Sequence, residues 1–367
     1  MKCNRIQIQN FRNIETADVR FGDGVNVLVG ANAQGKTNLL EAIFYVAIGK
    51  SFRTSHDEDM IRFGADVCEI SLDFEDSRRE QNLTVRLMAG KRRRIEHNRV
   101  RLAKVSEVVG LFRTVLFCPE HLSLVKDGPA ERRAFLDVAV SQLYPNYLHS
   151  LQTYHQILKQ RNGLIRDAET DRKTFNDTVE FWSEQLAHEA AVLSQYRARY
   201  LKLLQPAIRA CFAEMTDGKE IPDVVYEPSL HGDPEDYEDA AATEARYREK
   251  LMSNHEREIA AGSTLWGIHK DDIRIDLNGK PARLFASQGQ QRSLALAMKL
   301  AEGEICRDIC GEVPVFLLDD VFSELDAARR SYLSEKIQGR QVIITSCEPT
   351  VTAGHLIRVE NGEYREE

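Results

Sequence analysis

One segment near the N-terminus has the residue types and spacing of a phosphate-binding loop. It matches the pattern G-x-x-x-x-G-K-[ST] and consists of Gly30, Ala31, Asn32, Ala33, Gln34, Gly35, Lys36 and Thr37. Glycines let backbone N–H groups approach phosphate oxygens, and a helix after the loop adds its dipole to the same anion. We therefore expect a nucleoside triphosphate here, with Lys36 at the β- and γ-phosphates and the Thr37 hydroxyl on Mg²⁺. The alternative is a glycine-rich turn without a ligand.

Two adjacent acids near the C-terminus offer a second chemical group. Asp319 and Asp320 directly follow the apolar run 315–318. Carboxylates at the end of a buried strand are costly to desolvate unless something offsets that cost. A Mg²⁺ ion opposite Thr37 would do so, and we assign Asp319 to the metal and Asp320 to the general base that orients an attacking water. The alternative is a helix N-cap or an exposed turn.

Two weaker segments could complete this site. Residues 287–292, Ser-Gln-Gly-Gln-Gln-Arg, open a predicted helical run over 293–303, and Ser287 has the residue type of an N-cap. The start of that helix would be a further place for an anion. The second segment, 323–326, is Ser-Glu-Leu-Asp and follows the paired acids. Neither segment is specific by itself.

The elements that must position these residues are short apolar strands. Residues 25–29, 315–318 and 342–344 are brief, aliphatic or β-branched, and followed by polar turns. This pattern is typical of strands buried on both faces of a parallel α/β sheet. A helix is predicted over 38–48, directly after the loop. Because one strand lies near the N-terminus and two near the C-terminus, the middle of the chain is predicted to be an insertion.

The middle of the chain has a helical pattern. From about 129 to 215 its apolar residues fall into two stripes, separated by a break near 167–171, which predicts two helices folded back as an antiparallel hairpin. An ordinary helical core and a projecting arm of about 40 Å fit this pattern equally well. A last helix is predicted over 250–261, before β structure resumes at Thr264.

Composition excludes several broad classes of protein. The chain has 367 residues, 43% of them hydrophobic, and a net charge of 49 − 57 = −8. It is therefore neither mainly disordered nor a polycation that binds nucleic acid through its overall charge. The seven cysteines are scattered without a CxxC pair, which indicates reduced thiols in a cytoplasmic protein rather than a disulfide framework. No apolar run has the length of a membrane span.

One segment reverses the acidic charge of the chain. Residues 91–104 contain seven basic side chains and one acidic side chain, so their net charge is 7 − 1 = +6. Such a cluster favours contacts with DNA phosphates, and the lack of an interleaved aromatic residue argues against base stacking. A solvated hairpin is the alternative, and Arg132 and Arg133 are second candidates for DNA contact. The basic residues of the segment are Lys91, Arg92, Arg93, Arg94, Arg99, Arg101 and Lys104.

In their order along the chain, the loop, the 287–292 segment, the paired acids and the 323–326 segment resemble the motifs of the ATP-binding-cassette ATPases. Asn32 in the loop and residues 10–13, Asn-Phe-Arg-Asn, are similar to the SMC-like branch of that class. Within the branch, the chain resembles the RecF family of bacterial recombination and repair proteins over essentially its whole length. The segments that carry this resemblance are 119–129, 132–137, 287–297 and 317–326.

The resemblance implies a two-part architecture and a role in DNA repair. A cassette-type P-loop ATPase head would comprise residues 1–115 and 262–367, and a helical insertion would comprise 116–261. With ATP and Mg²⁺ bound, two heads would close on duplex DNA near single-strand gaps, and slow hydrolysis would reset them. Together with RecO and RecR, the family helps RecA load onto DNA coated by single-strand binding protein.

The resemblance also implies roles for residues that are not explained by spacing alone. In the dimer, the 287–292 segment of one copy would contact the γ-phosphate held by the other copy, and Arg12 would reach a nucleotide phosphate. The residues implied at the nucleotide in trans are Ser287, Gly289 and Gln290, and those implied at the subunit contact are Ser323 and Asp326.

Two segments, 268–270 and 345–347, depart from the family pattern. Ile268 and Lys270 replace the usual Pro and Arg, while residues 345–347, Thr-Ser-Cys, stand where many cassettes place a His that senses the γ-phosphate.

Two other functions stay open. One alternative function is an SMC-like structural tether between DNA segments, although the chain has no hinge. The other is a small-molecule kinase, which would leave the 287–292 segment unexplained.

Overall fold

The chain divides into two units along its length. The computed structural model describes residues 1–230, 232–348 and 354–366, without the side chains of Ser123, Pro234 and Glu235. The first unit consists of residues 1–123 and 288–367, and the second of residues 124–287. No helix in the described part is both long and apolar enough to cross a bilayer.

The apolar runs from both ends of the chain form one sheet in the first unit. Its central strands are parallel and in the order β3-β13-β12-β8, and β12 and β13 are buried along their whole length. This confirms the three predicted strands and their common sheet. The strands are β3 (Val25–Val29), β8 (Thr114–Phe117), β12 (Val315–Asp319), β13 (Val342–Ser346), β14 (His355–Glu360) and β15 (Glu363–Glu366).

A second, antiparallel sheet of the first unit has one exposed face. Residues on β4 and β5 alternate between buried and partly exposed positions, as expected for a sheet with one face in the core. Its order is β2-β1-β4-β5-β6-β7. The strands are β1 (Lys2–Phe11), β2 (Ile14–Arg20), β4 (Val67–Glu75), β5 (Glu80–Met88), β6 (Arg94–His97) and β7 (Val100–Arg101).

Helix α1 (Lys36–Ile48) connects the two sheets. It packs against β1 and β4 of the antiparallel sheet and against β12 and β13 of the parallel sheet, so almost all of its side chains are buried. It begins two residues before the predicted start. The other helices of this unit are α8 (Gln288–Cys310), α9 (Val321–Glu324) and α10 (Ala327–Lys336), and short 3-10 turns lie at Asp57–Met60, Val105–Glu107 and Pro119–Ser123.

The second unit combines helices with a small sheet. The predicted hairpin is present as α3 (Pro145–Asp167) and α4 (Arg172–Thr216), and the Asp171 side chain caps α4 by accepting a hydrogen bond from the Thr174 N–H at 3.0 Å. Its other elements are α2 (Pro129–Leu143), α5 (Ala240–Ser253), α6 (His255–Ala261), α7 (Ala282–Phe285), β9 (Pro222–Glu227), β10 (Asp272–Leu277) and β11 (Lys280–Pro281), with 3-10 turns at Pro234–Tyr237 and Ile268–Lys270.

Helix α4 is part of a packed core. It lies against α3, α5 and β9, and its buried residues extend from Phe175 to Phe212. This packing favours the helical core over the projecting arm.

The boundaries of the two units differ from the expected ones. The first falls after Ser123 instead of residue 115, and the second falls after Ser287 instead of residue 261. The cause of the second difference is β9, which was not predicted and which pairs antiparallel with β10, so residues 262–287 stay with the second unit. β structure resumes at Asp272 and not at Thr264.

Candidate nucleotide site

The predicted loop lies between β3 and α1, at the carboxyl edge of the parallel sheet. Gly35 has φ = 114°, a conformation that L side chains rarely adopt. A Cβ added to Gly30 would come within 2.1 Å of the Val359 carbonyl oxygen, so both glycines are required by the backbone itself. The Lys36 Nζ donates to the carbonyls of Gly30 at 2.5 Å and Ala31 at 2.9 Å, and therefore lies across the inside of the loop.

The structure brings Thr37 and Asp319 together. The Thr37 Oγ1 donates to the Asp319 Oδ1 at 2.8 Å, and the Thr345 Oγ1 donates to the same oxygen at 2.7 Å. Burial raises the pKa of the Asp319 carboxyl, while these two hydroxyls oppose the shift. A hydroxyl and a carboxylate oxygen side by side are the hard oxygen ligands that Mg²⁺ prefers, so the residues fit the predicted metal.

Asp320 has an unusual backbone and an accessible carboxylate. Its φ is 49°, in the left-handed region, and its N–H donates to the Thr345 Oγ1 at 2.9 Å. The side chain does not cap α9, although Asp320 occupies the N-cap position. Within residues 1–230, 232–348 and 354–366, its carboxylate has no hydrogen-bond partner. It is therefore available to a water molecule, as a general base must be.

A hairpin near the C-terminus holds the loop from outside. Tyr364 Oη donates to the Gly35 carbonyl at 2.9 Å, and the Gly362 N–H donates to the Gln34 carbonyl at 2.9 Å. Burial raises the pKa of the Tyr364 phenol, so the donor stays protonated. No local pattern predicts these contacts, because they join residues more than 300 positions apart and follow no motif.

Arg12 is engaged by the protein itself. Its Nε and Nη2 donate to the buried Glu41 carboxylate at 3.0 and 2.6 Å, and its Nη1 donates to the Asp59 carbonyl at 2.7 Å. Arg12 would have to leave Glu41 to use these donors on a phosphate.

The start of α8 is connected to the segment after the paired acids. Arg292 donates to the Glu324 carbonyl at 2.7 Å and to its Oε2 at 2.9 Å, and the Arg329 Nε donates to the Ser293 Oγ at 2.6 Å. Gly289 lies beside the Arg329 guanidinium, where an added Cβ would be 3.2 Å from Nη2.

The remaining residues of the predicted trans surface lie at or near these contacts. Ser287 is exposed and is the last residue of the second unit, while Gln290 belongs to the first turn of α8. Asp326 caps α10 by accepting the Arg329 N–H at 2.9 Å, and Ser323 Oγ donates to the Asp320 carbonyl at 2.7 Å. Both Ser323 and Asp326 are exposed.

Glu120 is a further acid at this edge that sequence analysis did not single out. It follows β8, which pairs with β12 so that Phe117 lies opposite Leu318. Its charge contributes to the raised pKa of Asp319, which places its carboxylate near the paired acids. The sequence feature that could have identified Glu120 is its position three residues after an apolar strand, β8.

The basic segment is divided between the two ends of β6. Lys91 and Arg92 are exposed in the loop before β6, and Arg99 is exposed in the left-handed turn after it. Arg101 is exposed on β7, and Arg94 is exposed but ion-paired with Glu96 at 2.8 Å. Lys104 is exposed as well.

Three of the predicted DNA contacts are structural residues. Arg93 Nη1 donates to the Tyr45 hydroxyl at 2.6 Å and to the Gly49 carbonyl at 2.7 Å, so its guanidinium is held inside the first unit. Arg132 binds the Asp272 carboxylate with two nitrogens, at 2.7 and 2.9 Å, and Arg133 donates to the Asp271 carbonyl at 2.8 Å. We remove all three from the candidate DNA surface.

The order of the strands and the position of the loop identify the type of ATPase. A P-loop between β3 and α1, with an acid at the end of β12, which is separated from β3 by β13, belongs to an ATP-binding-cassette-type ATPase head with an inserted domain. The model of the RecF/RecN/SMC N terminal domain matches residues 2–361. The head of an Smc protein bound to the C-winged helix domain of ScpA superposes with a TM-score of 0.59 at 17% identity over 100% of this chain and 97% of that chain, which shows a shared fold.

Nearer relatives give the family. A protein of Acetivibrio thermocellus named DNA replication and repair protein RecF is 36% identical over 345 residues, covering 94% of this chain and 93% of the relative. Its namesake in Bacillus cereus is 38% identical over 370 residues, covering 99% and 98%. A solved structure of the recombination mediator protein RecF-ATPrS in the RecFOR pathway has a TM-score of 0.94 at 31% identity, covering 100% and 98%. The chain belongs to the RecF family.

Proposed function

We propose that this protein is an ATP-dependent DNA-binding protein of recombinational repair and replication-gap processing. ATP binding drives dimerisation on duplex DNA near single-strand gaps, and slow, DNA-dependent hydrolysis resets the protein. In the cytoplasm it acts with RecO and RecR to help RecA load onto DNA coated by single-strand binding protein. The relatives described as RecF-ATP and RecF-ATPrS in the RecFOR pathway support the nucleotide and the pathway.

One observation carries the nucleotide part of the proposal. The Thr37 hydroxyl and the Asp319 carboxylate share a hydrogen bond beside Lys36, and the free carboxylate of Asp320 follows directly. Thr37 and Asp319 would hold Mg²⁺, which neutralises charge that develops on the phosphates. Lys36 would move from the Gly30 and Ala31 carbonyls to the β- and γ-phosphates.

Hydrolysis then needs a base, which we assign to Asp320. The oxygen of a water molecule forms a bond to the γ-phosphorus while the bond from that phosphorus to the leaving oxygen of ADP breaks. Asp320 accepts the proton of the water and later releases it to the phosphate product, so the carboxylate is regenerated.

The 287–292 segment supports closure in trans. Ser287 is exposed and precedes α8, whose first N–H groups suit a phosphate. In the proposed dimer, Ser287, Gly289 and Gln290 of one copy contact the γ-phosphate of the other. Ser323 and Asp326 lie at the subunit contact, because both are exposed next to the Asp320 segment.

The exposed basic residues support the DNA part of the proposal. Lys91, Arg92, Arg99 and Arg101 lack an acidic partner within the three described ranges of the chain, so their charges are available to phosphates. Binding through phosphates does not depend on sequence and weakens steeply with salt. The packing of α4 against α3, α5 and β9 argues against the tether alternative.

Mass and DNA binding test the proposal together. With ATP and Mg²⁺, Asp320→Asn should accumulate as a dimer on gapped duplex DNA, whereas Lys36→Ala should stay monomeric and bind DNA weakly. Arg92→Ala combined with Arg99→Ala should weaken DNA binding and leave ATP binding unchanged, and Arg93→Ala serves as a control for lost structure. A protein that stays monomeric with ATP at every concentration, or whose DNA binding ignores ATP, contradicts the proposal.

A further inference from the structure

The Thr345 hydroxyl lies between the two acids of the nucleotide site. It donates its proton to the Asp319 Oδ1 at 2.7 Å and accepts the Asp320 N–H at 2.9 Å. Thr345 is 1% exposed, so water does not compete for either hydrogen bond. A single side chain therefore contacts both the predicted metal ligand and the predicted base.

The sheet register creates this position. β12 and β13 are parallel, and Asp319 lies opposite Thr345 in the last pair of the ladder. After that pair β12 ends, and the chain turns sharply at Asp320 with φ = 49° into α9. The left-handed conformation is unfavourable for a residue with a Cβ and persists only where its surroundings enforce it.

Two hydrogen bonds enforce the turn. The Asp320 N–H is held by Thr345, and the Asp320 carbonyl accepts from the Ser323 Oγ at 2.7 Å. The Ser323 bond is local and exposed, whereas the Thr345 bond ties the turn to a neighbouring strand. Removal of the hydroxyl would leave the part-buried Asp320 N–H without this partner and let the turn relax.

We propose that Thr345 is the positioning residue that sets the direction of the Asp320 carboxylate relative to the Asp319 site. The inference rests on the proposed ATP hydrolysis and adds to it a residue that acts through another. Because Thr345 holds the backbone of the base and not the phosphates, its loss slows the chemical step more than it weakens nucleotide binding.

Three full-length variants test this assignment. Thr345→Val keeps the shape and removes the hydroxyl, Thr345→Ser keeps the hydroxyl, and Thr114→Val makes the same change at a buried threonine that begins β8 at the other end of the sheet. Misplacement of a catalytic group costs on the order of tenfold to a hundredfold in rate. We expect that loss in kcat for Thr345→Val, a KM within about threefold of wild type, and near-normal kcat for the two others.

The kinetic outcomes separate positioning from folding. A Thr345→Val protein with normal kcat, or with a changed KM alone, overturns the inference. So does a Thr345→Ser protein as slow as Thr345→Val, because the hydroxyl would then not matter.

Hydrogen exchange supplies a readout that does not need turnover. The amide of Asp320 should exchange faster in Thr345→Val than in wild type, Thr345→Ser or Thr114→Val. Wild-type protein that hydrolyses no more ATP than Lys36→Ala would contradict the proposed function. Hydrogen exchange at the Asp320 amide would then still test whether Thr345 holds that amide. Unchanged exchange at Asp320 in Thr345→Val overturns the inference in either case.

Discussion

Both units contain a pair of adjacent aspartates in a buried setting, and their partners differ. In the second unit, Asp271 accepts from Arg197 Nη1 at 3.2 Å, from the Tyr226 hydroxyl and from the Ser229 N–H at 2.8 Å. Asp272 forms the two-nitrogen ion pair with Arg132. Each carboxylate therefore has a guanidinium of its own chain, which is what a buried charge requires.

The aspartate pair of the first unit has no such partner. Asp319 accepts hydrogen bonds from the hydroxyls of Thr37 and Thr345. Neither Asp319 nor Asp320 is ion-paired with a Lys, Arg or His of residues 1–230, 232–348 or 354–366. Both carboxylates are thus open to the Mg²⁺ ion and the water molecule that we propose for this site.

An Asp-Asp sequence therefore does not identify its own role. The same dipeptide supports the fold where arginines neutralise it and, in our proposal, binds a metal where hydroxyls surround it. The 3-10 turn before Asp271 forms even though Ile268 replaces the proline usual in the family, because Lys270 N–H donates to the Gly267 carbonyl at 2.8 Å. Arg197 Nη1 also donates to the Ile268 carbonyl at 2.8 Å, which fixes that turn.

Removal of the arginine should have the largest effect. Arg197→Met leaves the buried Asp271 charge without its cation, and we expect a loss of about 3–5 kcal/mol in the free energy of unfolding. Urea unfolding followed by tryptophan fluorescence measures this, because both tryptophans, Trp182 and Trp266, lie in the second unit.

A double variant controls for general damage. Arg197→Met combined with Asp271→Asn removes both charges and should recover part of the loss. If the double variant is less stable than the single variant, the Asp271 carboxylate is not neutralised by Arg197, and the proposed difference between the two aspartate pairs is wrong.

The same substitution in each pair should separate function from stability. Asp319→Asn keeps an oxygen acceptor for both hydroxyls and removes a buried charge that has no cation, so stability should fall by less than about 1 kcal/mol. Mg²⁺-dependent hydrolysis should fall at least about a hundredfold. Circular dichroism during thermal unfolding and steady-state ATPase assays measure the two effects.

Asp272→Asn is the matched control for this experiment. It weakens the ion pair with Arg132 and should cost about 2 kcal/mol in the second unit, with little change in hydrolysis per folded molecule. Unfolding of the Asp319→Asn protein would contradict the contrast between the two aspartate pairs. So would an Asp272→Asn protein that stays folded but no longer hydrolyses ATP.

Local patterns predicted the frame of the site, but not the contacts that set its geometry. The strands that end at Val29 and Asp319 follow from short apolar runs, and the break before α4 follows from Asp171 and the interrupted stripes. The contacts of Arg93 and Thr345 depend on how segments that are distant in the sequence are aligned in the fold. This alignment cannot be read from the residue types alone. β9 was missed because its short run is stabilised by pairing with β10 and by packing against α4, and neither contact is visible in the run itself.

The buried network should also make the second unit sensitive to mild acid through His269. Its Nδ1 accepts from the Tyr154 hydroxyl at 2.6 Å, its Nε2 donates to the Thr264 carbonyl at 3.1 Å, and burial lowers its pKa to about 4. The unfolded chain takes up this proton near pH 6.5, so the stabilising contribution is complete above pH 6.5 and is lost as the pH falls towards 4. Between pH 7 and pH 5 the loss should be about 2 kcal/mol.

His269→Gln isolates that contribution from the other groups that titrate in this range. The glutamine has no proton to gain, so the variant should lose about 2 kcal/mol less than wild type between pH 7 and pH 5, measured by urea unfolding with tryptophan fluorescence. Hydrolysis by molecules that remain folded should not follow this difference, because His269 belongs to the network that supports the fold. An equal loss in both proteins would contradict the prediction, because it would show that the imidazole takes up its proton in the folded protein as readily as in the unfolded chain.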